Sequence, residues 1–294
     1  DDTVDDVPSK GNQEGIFGFG EGASVTAVTN LVSNTGVVAT DTVGVGTARQ
    51  MTAACEYDGD KAIFGYGYSA PSYLSITNLV SNAGVVASDT AGVGTARGNL
   101  DACSYGGDKG IFGYGNGLVS MTNLVSNAGV VSSDVTGVGT ARQHLAACEY
   151  GGDKGIFGYG GLAYPNVVSI TNLVSNAGVV ATDTTGVGTA RREIAACGYG
   201  YDKGIFGFGT AASVTAVTNL VSNAGVVSSD VAGVGTARKT LAATQYGQDK
   251  GIFGYGTTGS VTAVTNLVSN AGVVATDVAG VGTARAGPGA CSFN

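Results

Sequence analysis

Tryptophan is absent from this sequence, histidine occurs once and methionine twice. A single imidazole rules out histidine-based metal clusters and leaves one possible base for a Ser-His-Asp triad. Charged side chains make up only 12% of the 294 residues, and acids outnumber bases to give a net charge of −8. A nucleic-acid partner calls for a basic stripe, which this balance denies. No apolar run approaches the roughly 20 residues of a bilayer-spanning helix, so direct membrane insertion is not expected. Proline is limited to 4 residues beside 51 glycines, without the G-X-Y period of collagen. There is no CxxC, no N-x-[ST] acceptor and no helical periodicity anywhere.

What the chain has instead is repetition. The element IFG[FY]G starts at Ile16, Ile63, Ile111, Ile156, Ile205 and Ile252, at spacings of 47, 48, 45, 49 and 47 residues. Each copy runs through a variable stretch into TNLVSN[AT]GVV, then [ST]D, then GVGTAR. The closing arginines are Arg49, Arg97, Arg142, Arg191, Arg238 and Arg285. Six residues after each stands Cys55, Cys103, Cys148, Cys197, Thr244 and Cys291. A period of this length marks a repeat architecture. With 43% hydrophobic residues the units can fill a core, while the low charge leaves a surface of Ser, Thr, Asn and Gly. Residues 1–14 are polar and aperiodic and read as a tail or linker. A chain that opens on Asp1 reads as processed or as part of a longer one.

Within a unit four strands are expected. Leu145–Tyr150 alternates, with Ala146, Cys148 and Tyr150 on one face, and Ile156–Tyr159 sets two aromatics two residues apart. Val167–Val174 is rich in β-branched residues, and Gly178–Asp183 follows the hairpin signal Ser-Asn-Ala-Gly. Gly-Gly-Asp between the first two strands is a second hairpin signal. Four short antiparallel strands in each of six units is the pattern of an all-β, six-bladed β-propeller. The first unit begins at its second strand, near Gly15, and the chain ends on a lone first strand reaching Phe293. Pairing those two strands in one blade leaves no open edge. Residues 15–294 are therefore expected to form one propeller domain closed by its termini.

The unit resembles a kelch repeat. Arg142 leads into the small-residue strand Ala146-Ala147-Cys148, and Ile156-Phe157-Gly158-Tyr159-Gly160 matches the hydrophobic-aromatic strand that ends in glycines. It departs from kelch in its Gly-x-Gly and in lacking the fourth-strand Trp. The wording of the repeat is also similar to repeat proteins of bacteriophages and marine microbes, a resemblance that implies a virion tail or fibre component.

A residue present in every unit is first of all one that holds units together, because a catalytic site is built once from dissimilar groups. The six arginines and the aspartates Asp41, Asp89, Asp134, Asp183, Asp230 and Asp277 are therefore expected to be structural. They would act as buried Arg–carboxylate pairs or as Arg-to-carbonyl bonds between blades. The Asp-Lys pairs, such as Asp153-Lys154, read as solvated, since neighbouring strand residues point apart. Five cysteines, one per unit, are expected as free buried thiols, with no disulfide, metal or cofactor. Free thiols imply assembly in a reducing cytosol, as for a virion, ahead of any extracellular role. The octapeptide Asp108–Gly115 looks at first like a phosphate loop, but a Walker loop needs Lys-Ser/Thr after its glycines and a helix to follow.

In an antiparallel meander the 2–3 and 4–1 connections emerge on one face, and there the units differ. The variable stretches are 68–75, 116–120 and 161–169, together with the pair after each arginine: Gln50-Met51, Gly98-Asn99, Gln143-His144, Arg192-Glu193, Lys239-Thr240 and Ala286-Gly287. Loops on a rigid scaffold commonly carry recognition. The candidate ligand-binding residues are Tyr68, Tyr73, Asn99, Asp101, Asn116, His144, Tyr164, Asn166, Arg192 and Glu193. Tyrosines among short polar side chains suit a carbohydrate or a protein. The expected function is a non-enzymatic recognition or attachment module for a cell-surface glycan or protein, within a larger protein assembly. A purely structural virion or filament protein is the first alternative. A glycan-active enzyme using Asp101 and Glu193 is the second.

Overall fold

Residues 13–293 are described by a computed structural model, and among them there are strands, turns and extended connections but no helix. Six three-stranded antiparallel sheets form. Sheet 1 joins both ends of the chain: β1 (Glu14–Gly18) lies between β2 (Thr29–Val32) and β18 (Gly289–Phe293). Sheet 2 is β3 (Ala53–Tyr57), β4 (Lys61–Ser69) and β5 (Ser72–Val80). Sheet 3 is β6 (Asp101–Tyr105), β7 (Lys109–Gly113) and β8 (Thr122–Val125). Sheet 4 is β9 (Ala146–Tyr150), β10 (Lys154–Gly158) and β11 (Thr171–Val174). Sheet 5 is β12 (Ala195–Tyr199), β13 (Lys203–Gly207) and β14 (Thr218–Val221). Sheet 6 is β15 (Ala242–Tyr246), β16 (Lys250–Gly254) and β17 (Thr265–Val268). Of the stretch read as a tail, Glu14 is already in β1, paired with Phe293, and residues 1–12 lie outside the described residues.

The expected fourth strand does not form. After the turn at Ser175–Gly178, the chain meets β11 only at two separate bridges, Val174–Val180 and Thr171–Thr184. Three steps along β11 thus face four steps of the returning segment, so one residue is extruded and the ladder breaks. Asn172 fills the break. It is fully buried, and its side-chain amide donates to Ala181 O (3.0 Å) and Asp183 Oδ1 (2.9 Å). Asn30, Asn78, Asn123, Asn219 and Asn266 do the same in the other sheets. The third strand is also shorter than expected, starting at Thr171, because Val167 and Val168 bond instead to Gly161 and Gly160.

The core is divided into layers between consecutive sheets. Between sheets 3 and 4, Cys103, Ile111 and Tyr114 pack against Leu145, Ala147 and Phe157. The first glycine of IFG[FY]G permits this approach, since a Cβ on Gly113 would lie 2.7 Å from Phe157 Cζ. Tyr114 and Phe157 then meet edge to face at 5.2 Å. The same contact joins Phe19 to Phe64, Tyr66 to Phe112, Tyr159 to Phe206 and Phe208 to Phe253, and Tyr255 to Phe17 returns it to sheet 1. The octapeptide is thus a packing element.

Each junction also receives a buried arginine. The Arg142 guanidinium lies 4.3 Å over the Tyr114 ring of the sheet behind, while its Nε donates to Tyr159 O (2.7 Å) of the sheet ahead. Arg49, Arg97, Arg191 and Arg238 make both contacts, and Arg285 stacks on Tyr255 at 4.0 Å. The arginines reach carbonyls and rings rather than carboxylates: the one described Arg–Asp approach is Arg97 Nη1 to Asp134 Oδ1 at 3.9 Å. The aspartates instead hold threonines. Asp183 accepts from Thr140 N (3.0 Å) and Thr140 Oγ1 (2.6 Å), and Asp41 accepts from Thr283 in the same way. Asp153 and Lys154 were expected to point apart, yet they pair at 2.7 Å, because Asp153 stands in the turn; both stay exposed.

Candidate functional site

Two residues past each arginine, the chain must swing from the sheet junction into the next sheet's cysteine- or threonine-bearing edge strand. It does so through a left-handed residue: Met51, Asn99, His144, Glu193 and Thr240 have φ between 50° and 57°, and Gly287 has 61°. Such a conformation costs a non-glycine residue about 1–2 kcal/mol, so something must hold it. What holds it is a relay of backbone hydrogen bonds. His144 N donates to Asn99 O, Asn99 to Met51, Met51 to Gly287, Gly287 to Thr240, Thr240 to Glu193, and Glu193 back to His144, at 2.8–3.3 Å. The relay has no free end.

Beside it lies a cavity of about 100 Å³, lined by residues of β3, β6, β9, β12, β15 and β18. Its wall is nearly uniform. One position past the strained residue's neighbour, the sheets carry Ala53, Ala146, Ala195, Ala242 and Gly289, and sheet 3 alone carries a carboxylate, Asp101. Asp101 Oδ1 accepts from Ala102 N (2.9 Å) and Oδ2 from Ala147 N (2.7 Å) across the sheet junction. Burial raises its pKa to about 7 against the lowering pull of those two bonds. His144 is held below its ordinary value by burial, helped by Arg192 and Lys239 and opposed by Glu193. Glu193 pairs with Lys239 at 2.9 Å.

Outside this rim the two variable sets lie together. Gln50 bridges to Tyr68, Gln143 to Gly161, Arg192 to Thr210 and Lys239 to Thr257, and Asn116 N donates to Gly98 O. In sheet 2 the second hairpin is longer than elsewhere and sets Tyr68 opposite Tyr73, with ring centres 5.0 Å apart. Gly98 leaves room for the Tyr73 ring, since a Cβ there would lie 3.2 Å from it and 3.3 Å from Met51 Cβ. In sheet 4, Tyr164 is 81% exposed and Arg192 stacks on it at 5.0 Å. Asn166 is exposed in a loop closed by its backbone, whose N–H donates to Ala163 O and whose carbonyl accepts from Leu162 N.

Of the candidates read from the sequence, Asn99, Asp101, His144 and Glu193 converge on the cavity. Tyr73 reaches its rim, while Tyr164 with Arg192 forms a separate exposed platform. Asn116 and Asn166 stand on the loops, and Tyr68 near the end of β4. Met51, Thr240 and Lys239 belong to the same rim and were not singled out. The signal for them was their place in the variable pair after each arginine.

Toward the other end, a smaller cavity of about 50 Å³ is lined by the five cysteines, Thr244, Glu56, Glu149 and Gln245, among others. The thiols are free and buried. Cys55, Cys103, Cys148 and Cys197 each fit a neighbouring glycine's missing side chain; Cys103 Sγ fills the space a Cβ on Gly155 would need. Burial pushes their pKa values up, that of Cys197 to about 12. Among the described residues no group of three or more His, Cys, Asp or Glu is placed to hold a metal ion. No protein-family model matches this chain, and no curated protein matches it.

Proposed function

We propose that the six sheets are the blades of a β-propeller with three full strands per blade, and that the face around the rim is a non-enzymatic recognition surface. The propeller reading is supported by the sharing of sheet 1 between the two chain ends. It is supported too by the return of the aromatic contacts from Tyr255 to Phe17, and by the endless relay through Met51 and His144.

The recognition reading is carried by one observation. In a chain whose units are almost identical, the six rim positions hold six different residues, and the neighbouring loops are the ones that vary. Scaffold alone would favour one residue at all six places, as it does at the arginines. The ligand class is a cell-surface glycan or protein: Tyr164 and Tyr73 offer ring faces beside polar groups that bond hydroxyls and amides. Commitment of Glu193 to Lys239 argues against an acid–base couple with Asp101. A virion or extracellular setting accords with this reading.

Purified protein screened against a glycan array and against whole cells tests it. The expected result is binding to one ligand class, lost in Tyr164→Ala and Glu193→Ala without change in melting temperature. Absence of binding to every glycan and cell surface overturns it. A purely structural role has its own support, since Val37, Val85, Val130, Val179, Val226 and Val273 are each about 65% exposed at the same place in every unit. Uniform residues suit packing in an assembly; the non-uniform rim does not need it.

A further inference from the structure

We infer that the cavity beside the rim receives a small primary ammonium group, which forms an ion pair with Asp101. The inference rests on the reading of this face as a recognition surface and adds the chemistry of what the surface takes. A carboxylate oxygen pair offers about four acceptor positions, and the protein supplies two donors, Ala102 N and Ala147 N. None of the described ion pairs includes Asp101. The rim cations have contacts of their own, Lys239 with Glu193 and Arg192 over Tyr164. A carboxylate in such a place is costly unless a cation joins it. The other five sheets avoid that cost with Ala or Gly at the same position. Folding therefore does not require the carboxylate.

The site has room for the head of a cation. About 100 Å³ holds roughly three waters' worth of volume, enough for an ammonium and its attached carbon. An anion would meet Asp101 and Glu193 and a net charge of −8. A divalent metal would find too few side-chain ligands among the described residues. A neutral hydroxyl can donate one hydrogen bond to Asp101 but brings no charge to offset it. An ammonium has three donors to meet the open acceptor positions of Asp101. The elevated pKa of Asp101 agrees with a carboxylate that lacks its counter-ion. The other titratable groups around it are His144, Glu193, Arg192 and Lys239 at the rim, and Cys55, Cys103 and Cys148 with Glu56 and Glu149 on the far side. Burial keeps those thiols protonated, so the carboxylates lining the cavity are Asp101 and Glu193, of which Glu193 already pairs with Lys239.

Amine-bearing ligands at a cell surface come from amino sugars or from lysine side chains, and the test separates them. The full chain is titrated with methylammonium, glucosamine and lysine amide at pH 8 while the Ala102 and Ala147 amides are followed by NMR. N-acetylglucosamine and glucose serve as uncharged controls. Saturable shifts at these two amides with methylammonium, at least tenfold weaker in Asp101→Ala and at pH 5, are the expected result. Tighter binding of glucosamine or of lysine amide then identifies the source. Unmoved amides with every amine, or shifts that persist in Asp101→Ala, overturn the inference. Binding of N-acetylglucosamine or glucose as strong as that of the amines also overturns it, yet leaves glycan recognition by this face intact. The two readings therefore fail separately.

Discussion

Phe17, in the first strand, and Tyr255, near the end of the chain, meet edge to face with ring centres 5.1 Å apart. This contact is the same in kind and distance as that between Tyr114 and Phe157, which are joined by a continuous run of chain. The contact that brings the last sheet to the first is thus no looser than those along the repeat. Double-mutant cycles with Phe17→Leu and Tyr255→Leu, and with Tyr114→Leu and Phe157→Leu, compare them. Each pair is expected to couple by about 0.5–1.5 kcal/mol. Coupling at the internal pair but additivity at Phe17–Tyr255 would show that the ends part in solution.

Glycines in this chain serve two purposes that substitution separates. Gly113 is an ordinary strand residue whose missing Cβ admits the Phe157 ring, while Gly107 has open space around it but φ of 78°. Gly113→Ala is expected to cost about 1–3 kcal/mol through overpacking of the junction. Gly107→Ala is expected to cost about 1 kcal/mol through backbone strain alone. Urea unfolding midpoints decide it, and an equal or larger loss at Gly107 would mean that the junction gives way more easily than its close contacts imply.

Much of this was legible before any coordinates. Periodicity located the six units, and the split strand at the chain ends pointed to the pairing of Glu14–Gly18 with Gly289–Phe293. The missing fourth strand was not legible, because GVVATD follows a hairpin signal and carries the β-branched residues of a strand. The break comes from Asn172, a side chain in the neighbouring strand that takes up the Ala181 carbonyl. Sequence spacing shows which residues are near in the chain, not which amide replaces which. The rim was half legible: variability marked the pairs after each arginine, and antiparallel order put them on one face. That Met51, His144 and Glu193 share one relay of backbone bonds depends on their left-handed φ, for which side chains of such different kinds leave no common mark.

Acid should unfold the protein by way of six equivalent aspartates. Burial works to raise the pKa of Asp183, but bonds from Thr140 and Asn172 outweigh it and hold the carboxyl below its ordinary value; Asp41, Asp89, Asp134, Asp230 and Asp277 follow suit. A lowered folded-state pKa means that the unfolded chain binds protons first. Stability is then fully present above the unfolded value of about 4 and is lost as pH falls through the folded values. Urea midpoints are expected to hold between pH 7 and 5 on this account and to drop steeply between pH 4 and 2. In Asp183→Asn the drop is expected to be shallower. A midpoint that stays level down to pH 2 would remove these bonds from the stability of the fold.

Asp101 should act in the opposite sense. Its folded-state pKa is raised to about 7, so between the unfolded value near 4 and that point the folded chain holds the proton more tightly. Its contribution to stability is therefore fully present below about pH 4, declines as pH rises toward 7 and levels off above it. His144, held below its ordinary value by burial, is common to the wild type and to Asp101→Ala and largely cancels in their difference. The variant is expected to gain on the wild type as pH rises from 5 to 8, by on the order of 2 kcal/mol once the water admitted by the cavity is allowed for. Thermal or urea unfolding of the two proteins across that range measures the gain. A difference that does not change with pH would mean that Asp101 carries the same charge in the folded and unfolded chains. The wall of the cavity would then be far wetter than its two backbone bonds and surrounding alanines make it.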